Sequence, residues 1–159
     1  MRLYLVQHGK AVDKNVNPDR PLTSEGAQEV DRVATFLKGQ PLDIAEIWHS
    51  GKTRARQTAE RLASALSPSA VPRSREGLAP DDDASDLERV LEKRHENLMI
   101  VGHLPFLSKL AGLLLTGDED EQVVGFRNGG VVCLERDEAD RWRVAWAVAP
   151  ELLKASRGR

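Results

Sequence analysis

Two histidines and an arginine stand where short apolar runs of this chain stop. Residues 3–6 (LYLV) end at Gln7-His8-Gly9-Lys10. Residues 44–48 end at His49-Ser50-Gly51, with Arg54 following within one helical turn, and residues 97–102 end at His103-Leu104-Pro105. Continuous apolar runs this short suit strands buried on both faces, as in a parallel sheet covered by helices. In open α/β sheets ligands collect beyond the carboxyl ends of the strands. Taken singly, His8 reads as easily as a structural histidine and Arg54 as a solvated helix residue; the recurrence at three strand ends changes that balance. Two imidazoles, a guanidinium and helix N-termini with free N–H groups make a locally positive pocket suited to a tetrahedral phosphoryl dianion. Zinc would need further Cys, Asp or Glu ligands, so no metal is expected. Neither G-x-x-x-x-G-K-[ST] nor G-x-G-x-x-G occurs, which leaves nucleotide binding of the usual kinds unsupported. His49 and His95 have no comparable company and read as structural or solvated.

The elements that must carry these residues follow from periodicity. Ala27, Val30, Val33, Ala34 and Leu37 fall at helical spacing, with Thr23 or Ser24 as cap and Gly39 and Pro41 as the stop. A second helix follows Ser50, with Ala55, Ala59, Leu62, Ala63 and Leu66 on one face and Arg54 in its first turn; Lys52 and Arg56 read as solvated. Residues 67–85 are rich in Ser, Pro and Asp, with an extended piece near 71–75. They form a long connection of the kind that often carries function. Its acidic run reads as a solvated loop or as the cap of a helix over 85–94, with one carboxyl among Glu76, Asp81, Asp82 and Asp83 as a candidate proton donor. Pro105 suits the first position of a helix reaching about Leu115.

Beyond residue 123 the pattern turns to β. Residues 131–135 and 141–148, joined by a polar turn, predict an antiparallel hairpin. Cys133 reads as core, Trp142 and Trp146 as neighbours on one strand face packing against a helix, and Gly129-Gly130 as an unusual backbone conformation. The alternation β-α-β-α-β-α-β-α before that hairpin predicts a three-layer α/β/α sandwich: a mostly parallel sheet with an antiparallel edge hairpin near the C-terminus. Residues 1–150 read as a single domain and 151–159 as a frayed tail.

Composition narrows the partners. Among 159 residues, 23 Lys and Arg against 25 Asp and Glu give a net charge of −2, without global attraction to nucleic acid or anionic membrane. One cysteine permits no intramolecular disulfide and no Cys-rich metal site. With no signal peptide visible and no apolar run approaching about 18 residues, a cytoplasmic protein is expected, with a monomer as its expected state.

The motifs also carry a resemblance. Gln7-His8-Gly9-Lys10-Ala11 resembles the Arg-His-Gly signature of the histidine phosphatase superfamily, which includes the phosphoglycerate mutases. Ser50 with Arg54-Ala55 and Gln57-Thr58 resembles its second motif, and Gly102-His103-Leu104-Pro105 its third. The short length, Arg20-Pro21-Leu22-Thr23 and Leu78-Ala79-Pro80 look most like the small SixA-type phosphohistidine phosphatases. The resemblance implies that His8 is the nucleophile, becoming a transient phosphohistidine, that Arg54 binds phosphoryl oxygens, and that His103 stabilises the charge spreading over them. It implies Gln7, Gly9, Arg20 and Asn17 as phosphate- or substrate-binding residues, and no metal or organic cofactor. The substrate is expected to be phosphohistidine on a protein, the alternative being a small phosphate ester. One departure stands out: Gln7 occupies the place of the family's first arginine. Lys10 is a candidate to restore part of that charge, and a pocket that binds phosphate without cleaving it is the non-enzymatic alternative.

Overall fold

The computed structural model describes residues 1–154. Six strands, β1 (Arg2–Gln7), β2 (Glu46–His49), β3 (Arg73–Ser74), β4 (Leu98–Gly102), β5 (Val131–Arg136) and β6 (Trp142–Val148), form one sheet in the order β3-β2-β4-β1-β5-β6. The first four are mutually parallel, whereas β5 runs antiparallel to β1 and β6 antiparallel to β5. Four helices, α1 (Ser24–Lys38), α2 (Thr53–Leu66), α3 (Ala84–Glu92) and α4 (Phe106–Thr116), alternate with the parallel strands. The expected α/β architecture and its antiparallel C-terminal strands are both present.

Strand alternation sorts the core into two layers. Leu3, Leu5, Leu98 and Ile100 face α3 and α4, meeting Leu87, Leu91, Phe106 and Leu110. Tyr4, Val6, Met99 and Val101 face α1 and α2, meeting Val30, Val33, Leu37, Ala59 and Leu62. Both faces of β1 and β4 are therefore dry, which explains why these strands read as unbroken apolar runs. Cys133 is buried in the second layer as expected.

Two expectations for the C-terminal region need correction. Trp142 and Trp146 do not share a face: Trp142 packs with the α3/α4 layer and Trp146 with the α1/α2 layer. The register between β5 and β6 shifts at Cys133/Leu134, where Leu134 pairs with Val144 but Cys133 with Trp146, leaving Ala145 as an extra residue. A bulge of one residue inverts the inside-outside alternation beyond it, and nothing in the spacing of the tryptophans announces it. The start of the supposed tail is also ordered. Pro150–Leu153 is a 3-10 helix with buried Pro150 and with Leu153 packed against the α1/α2 layer. Residues 155–159 lie outside the described part.

The helix starts show how the loop after β1 is fixed. Thr23 caps α1 by accepting from the Gly26 N–H at 2.9 Å, and its own N–H donates to Lys10 O at 2.9 Å. A side chain at Gly26 would put its Cβ 2.2 Å from Lys10 O, and one at Gly9 would meet Val30 Cγ2 at 2.9 Å. These two glycines let the strand-end loop lie directly on α1. Gly26→Ala is accordingly expected to destabilise the protein by about 1–3 kcal/mol through overpacking against backbone that cannot yield. Urea unfolding would measure it, and an unchanged midpoint would show that the contact relaxes freely.

Candidate active site

Parallel pairing brings the two histidines together. Gln7 and Gly102 are the last partners in the β1–β4 ladder, so the next residues, His8 and His103, emerge side by side. Their ring centroids lie 5.0 Å apart, tilted by 52°. The helices that follow these two strands go to opposite faces of the sheet, α1 to one and α4 to the other. The crevice between β1 and β4 is thus the switch point at which open α/β sheets bind ligands. On the far side of β4, His49 pairs with Val101. The following residue, Ser50, consequently reaches His103, with 2.6 Å between its Oγ and His103 Nε2.

The local hydrogen bonds fix the chemistry of His8. Its Nδ1 lies 2.7 Å from Gly9 O. A carbonyl only accepts, so Nδ1 carries the proton and Nε2 keeps a free lone pair in the neutral ring. Backbone bonds hold the residue in place: His8 N–H donates to Gly102 O at 3.0 Å, and His8 O accepts from Asn128 Nδ2 at 3.0 Å. Fully buried Thr58 ties this loop to α2. Its Oγ1 accepts from Gly9 N–H at 3.0 Å and donates to Arg54 O at 2.7 Å. One hydroxyl therefore sets the spacing between the His8 loop and the backbone of Arg54.

Both imidazoles are held neutral. Burial lowers the His8 pKa most; the bond to Gly9 O opposes that, and the charges of Arg54 and Arg20 add to the lowering. His103, buried more deeply, is pushed down to about 3 by burial, then by His8, Arg54, Lys52 and Arg20. Burial, followed by the charge of Arg20, also lowers the pKa of Arg54, which as an arginine stays protonated. The charged groups acting on the two rings are all cations. Arg54 Nε and His103 Nδ1 are buried polar atoms without a hydrogen-bond partner among the described residues. Leaving such groups unsatisfied costs about 1–3 kcal/mol each, a cost that an oxyanion accepting from them would offset.

The structure sorts the other sequence candidates. Arg20 joins the site electrostatically. It is held in the left-handed region at φ 47°, with its N–H bonded to Asn17 O and its Nε to Val12 O at 3.1 Å. Asn17 builds the loop around Arg20: its Oδ1 accepts from Asp19 N–H at 3.0 Å. Gln7 is half-buried, and its carbonyl accepts from Gly129 N–H at 2.9 Å; Gly129 has the unusual backbone expected of it, at φ 74°. Gly9 has a different reason for being glycine than the one expected. Its amide is taken by Thr58 and its bare side faces α1, not a bound group. Lys10 does not restore the charge missing at Gln7, because Glu25 at 3.0 Å and Glu29 at 3.6 Å hold its ammonium against α1. Glu76 and Asp81 are exposed, and neither side chain makes a hydrogen bond or ion pair among the described residues.

Ser50, Thr58 and Asn128 make positioning contacts that sequence reasoning did not assign. Thr58 had a signal, being a polar residue on the otherwise apolar face of α2, four residues after Arg54. Asn128, 120 residues from His8, had none. His49 is structural as expected, its ring Nδ1 accepting from Gly51 N–H at 3.1 Å. Among the described residues no three His, Cys, Asp or Glu side chains converge to hold a metal ion.

Comparison with known proteins places the chain. Residues 3–79 match the family model described as histidine phosphatase superfamily (branch 1). An uncharacterized protein of a Picosynechococcus species is 35% identical over 144 residues, covering 81% of this chain and 86% of its own. Phosphohistidine phosphatase SixA of Escherichia coli is 26% identical over 165 residues, covering 99% of each. The chain belongs to the histidine phosphatase superfamily. A solved structure of the protein histidine phosphatase SixA complexed with tungstate superimposes with a TM-score of 0.82 at 26% identity, covering 97% of this chain and 100% of that one. Within this superfamily fold, no helix among the described residues is long and apolar enough to cross a membrane.

Proposed function

We propose that the protein is a phosphatase that takes the phosphoryl group of a phosphohistidine on a protein onto His8 and then gives it to water. The observation that carries this reading is the Nδ1–H···O=C bond to Gly9. It aims a neutral, unprotonated Nε2 into a crevice beside His103, where the charges that act on His8 are those of Arg54 and Arg20. The likeness to SixA, including a structure with the tetrahedral anion tungstate, supports the same reading.

The steps follow from these groups. Nε2 attacks phosphorus in line, forming the new N–P bond as the bond to the leaving imidazole breaks. That imidazole, protonated on its other nitrogen, departs neutral without needing a proton from the enzyme. Water then attacks the phosphorus of phospho-His8, gives its proton to solvent and returns the imidazole with inorganic phosphate released. Charge spreads over the equatorial oxygens in such transfers. Arg54 donates to them as a fork, and His103 supplies a neutral hydrogen bond whose ring orientation Ser50 fixes. A dianion entering the pocket opposes the cations that depress the His103 pKa and so raises it. Alcohol leaving groups depart well only if protonated, and the groups acting on His8 and His103 include no carboxylate. The site therefore favours phosphoramidates over phosphomonoesters.

Assays with a chelator present test this. Phosphohistidine peptide is expected to turn over at least tenfold faster, in kcat/KM, than a sugar phosphate, with the chelator making no difference. Faster cleavage of the sugar phosphate would transfer the protein to the small-ester reading.

The acid side of the pH profile is a separate check. Protonating His8 removes its lone pair, so rate falls as pH drops through the pKa of the free enzyme. That pKa lies below the ordinary value of 6.5, so kcat/KM is expected to remain level through pH 6.5 and decline only lower. An acid limb centred above 6.5 would contradict the neutral-nucleophile arrangement.

A further inference from the structure

The pocket holds its charge unevenly. A phosphoryl dianion would find two guanidinium groups, Arg54 and Arg20, and two imidazoles kept neutral. Gln7, beside the nucleophile, has no charge to offer, and the ammonium of Lys10 is held by Glu25 and Glu29.

Lys52 differs from Lys10 in each respect. It follows the turn Ser50-Gly51, in which Gly51 takes φ 90°. Ser50 Oγ anchors that turn to the site, lying 2.6 Å from His103 Nε2 while accepting from Lys52 N–H at 3.4 Å. Lys52 is also the N-cap of α2, so its backbone is fixed on both sides, and its exposed side chain has no carboxylate partner among the described residues. Its charge already acts on His103 across this short path.

We infer that Lys52 is the third cation of the phosphoryl pocket, binding the oxyanion from the solvent side beside His103 and adding charge that Gln7 does not supply. The inference rests on the phosphatase reading, for it needs an oxyanion between His8 and His103. A lysine suits this position because its ammonium, on a flexible stem, can follow an anion as it enters and leaves, whereas a fork fixed in the pocket cannot. Lys52 thereby tunes affinity and capture more than the bond-breaking step.

Tungstate binding by calorimetry at low and high salt tests the inference, alongside kcat and KM on a phosphohistidine peptide. Lys52→Gln is expected to weaken tungstate about fivefold at low salt and to raise KM similarly, with kcat nearly unchanged and the salt dependence flatter. Lys52→Arg should stay within about twofold of the native protein, since it keeps the charge. Lys10→Gln, whose ammonium is held against α1, should leave tungstate affinity unchanged. Native-like tungstate binding by Lys52→Gln at low salt would overturn the role of Lys52 and leave the phosphatase reading intact. An equal loss in Lys52→Arg would overturn it too, by showing that shape and not charge matters. Failure of the native protein to bind tungstate would remove the phosphatase reading and this inference together.

Discussion

His8→Ala is expected to yield a folded protein that releases no measurable phosphate, a loss of at least about 10⁴-fold. Removing a covalent nucleophile leaves only what binding and charge stabilisation supply to attack by water, and the group that remains cannot form the intermediate. The fold should survive. The bonds that anchor this residue, to Gly102 O and from Asn128 Nδ2, belong to its backbone, and the imidazole bonds only to its neighbour Gly9. Circular dichroism and unfolding curves would establish that the variant is native-like before its activity is read. In the native protein, rapid quenching during turnover should trap acid-labile, base-stable phosphate on the chain, and His8→Ala should trap none. Appreciable turnover by the folded variant would sink the mechanism.

Arg54→Ala is expected to lower kcat by about 10²–10³-fold, the range seen when one preorganised donor to a developing oxyanion is removed. The buried Nε of Arg54 has no partner among the described residues. Its donors are thus placed for something other than structure, and truncation should not leave a buried acceptor unsatisfied. Lysine at this position should recover only part of the rate, because a point charge does not reproduce the two-pronged geometry. Stability should move the other way. Arg20 disfavours the charge of Arg54, and burial does so more strongly, so removing the guanidinium relieves both, and the thermal midpoint should hold or rise as activity falls. Opposed movements of this kind mark side chains placed for function at the expense of stability. The same substitution should raise the His103 pKa from its depressed value near 3, which an NMR titration of the ring would follow. A rate loss below about fivefold, with the His103 titration unmoved, would place Arg54 outside the chemistry.

Much of this arrangement was legible in the sequence, because the signals were local. Strands dry on both sides appear as unbroken apolar runs, and β1 and β4 are of that kind. Helices with one buried stripe show it at every third or fourth residue, as α1 does through Val30, Val33, Ala34 and Leu37. The juxtaposition of His8 and His103 also followed, since both terminate such strands and parallel neighbours end at the same rim. What escaped depended on contacts between distant segments. The direction of Lys10 is decided by Glu25 and Glu29 on a helix, and charge count alone favoured the pocket. The bulge at Ala145 depends on how β6 lies against β5, so the two tryptophans, four residues apart, went to opposite layers. Asn128 reaches His8 through a loop whose course no propensity reveals. Thr58 was the one readable omission: a hydroxyl on a buried helical face has to satisfy itself somewhere.

The place of β1 in the sheet has a consequence for how the crevice assembles during folding. Both neighbours of β1 come from far along the chain, β4 at Leu98–Gly102 and β5 at Val131–Arg136. Until those segments are in place, β1 has neither of its partners to zip against. Pairings that span such separations form slowly, and exposed strands waiting for them invite association. The crevice between His8 and His103, which follow β1 and β4, therefore takes shape only once partners some ninety residues apart have met.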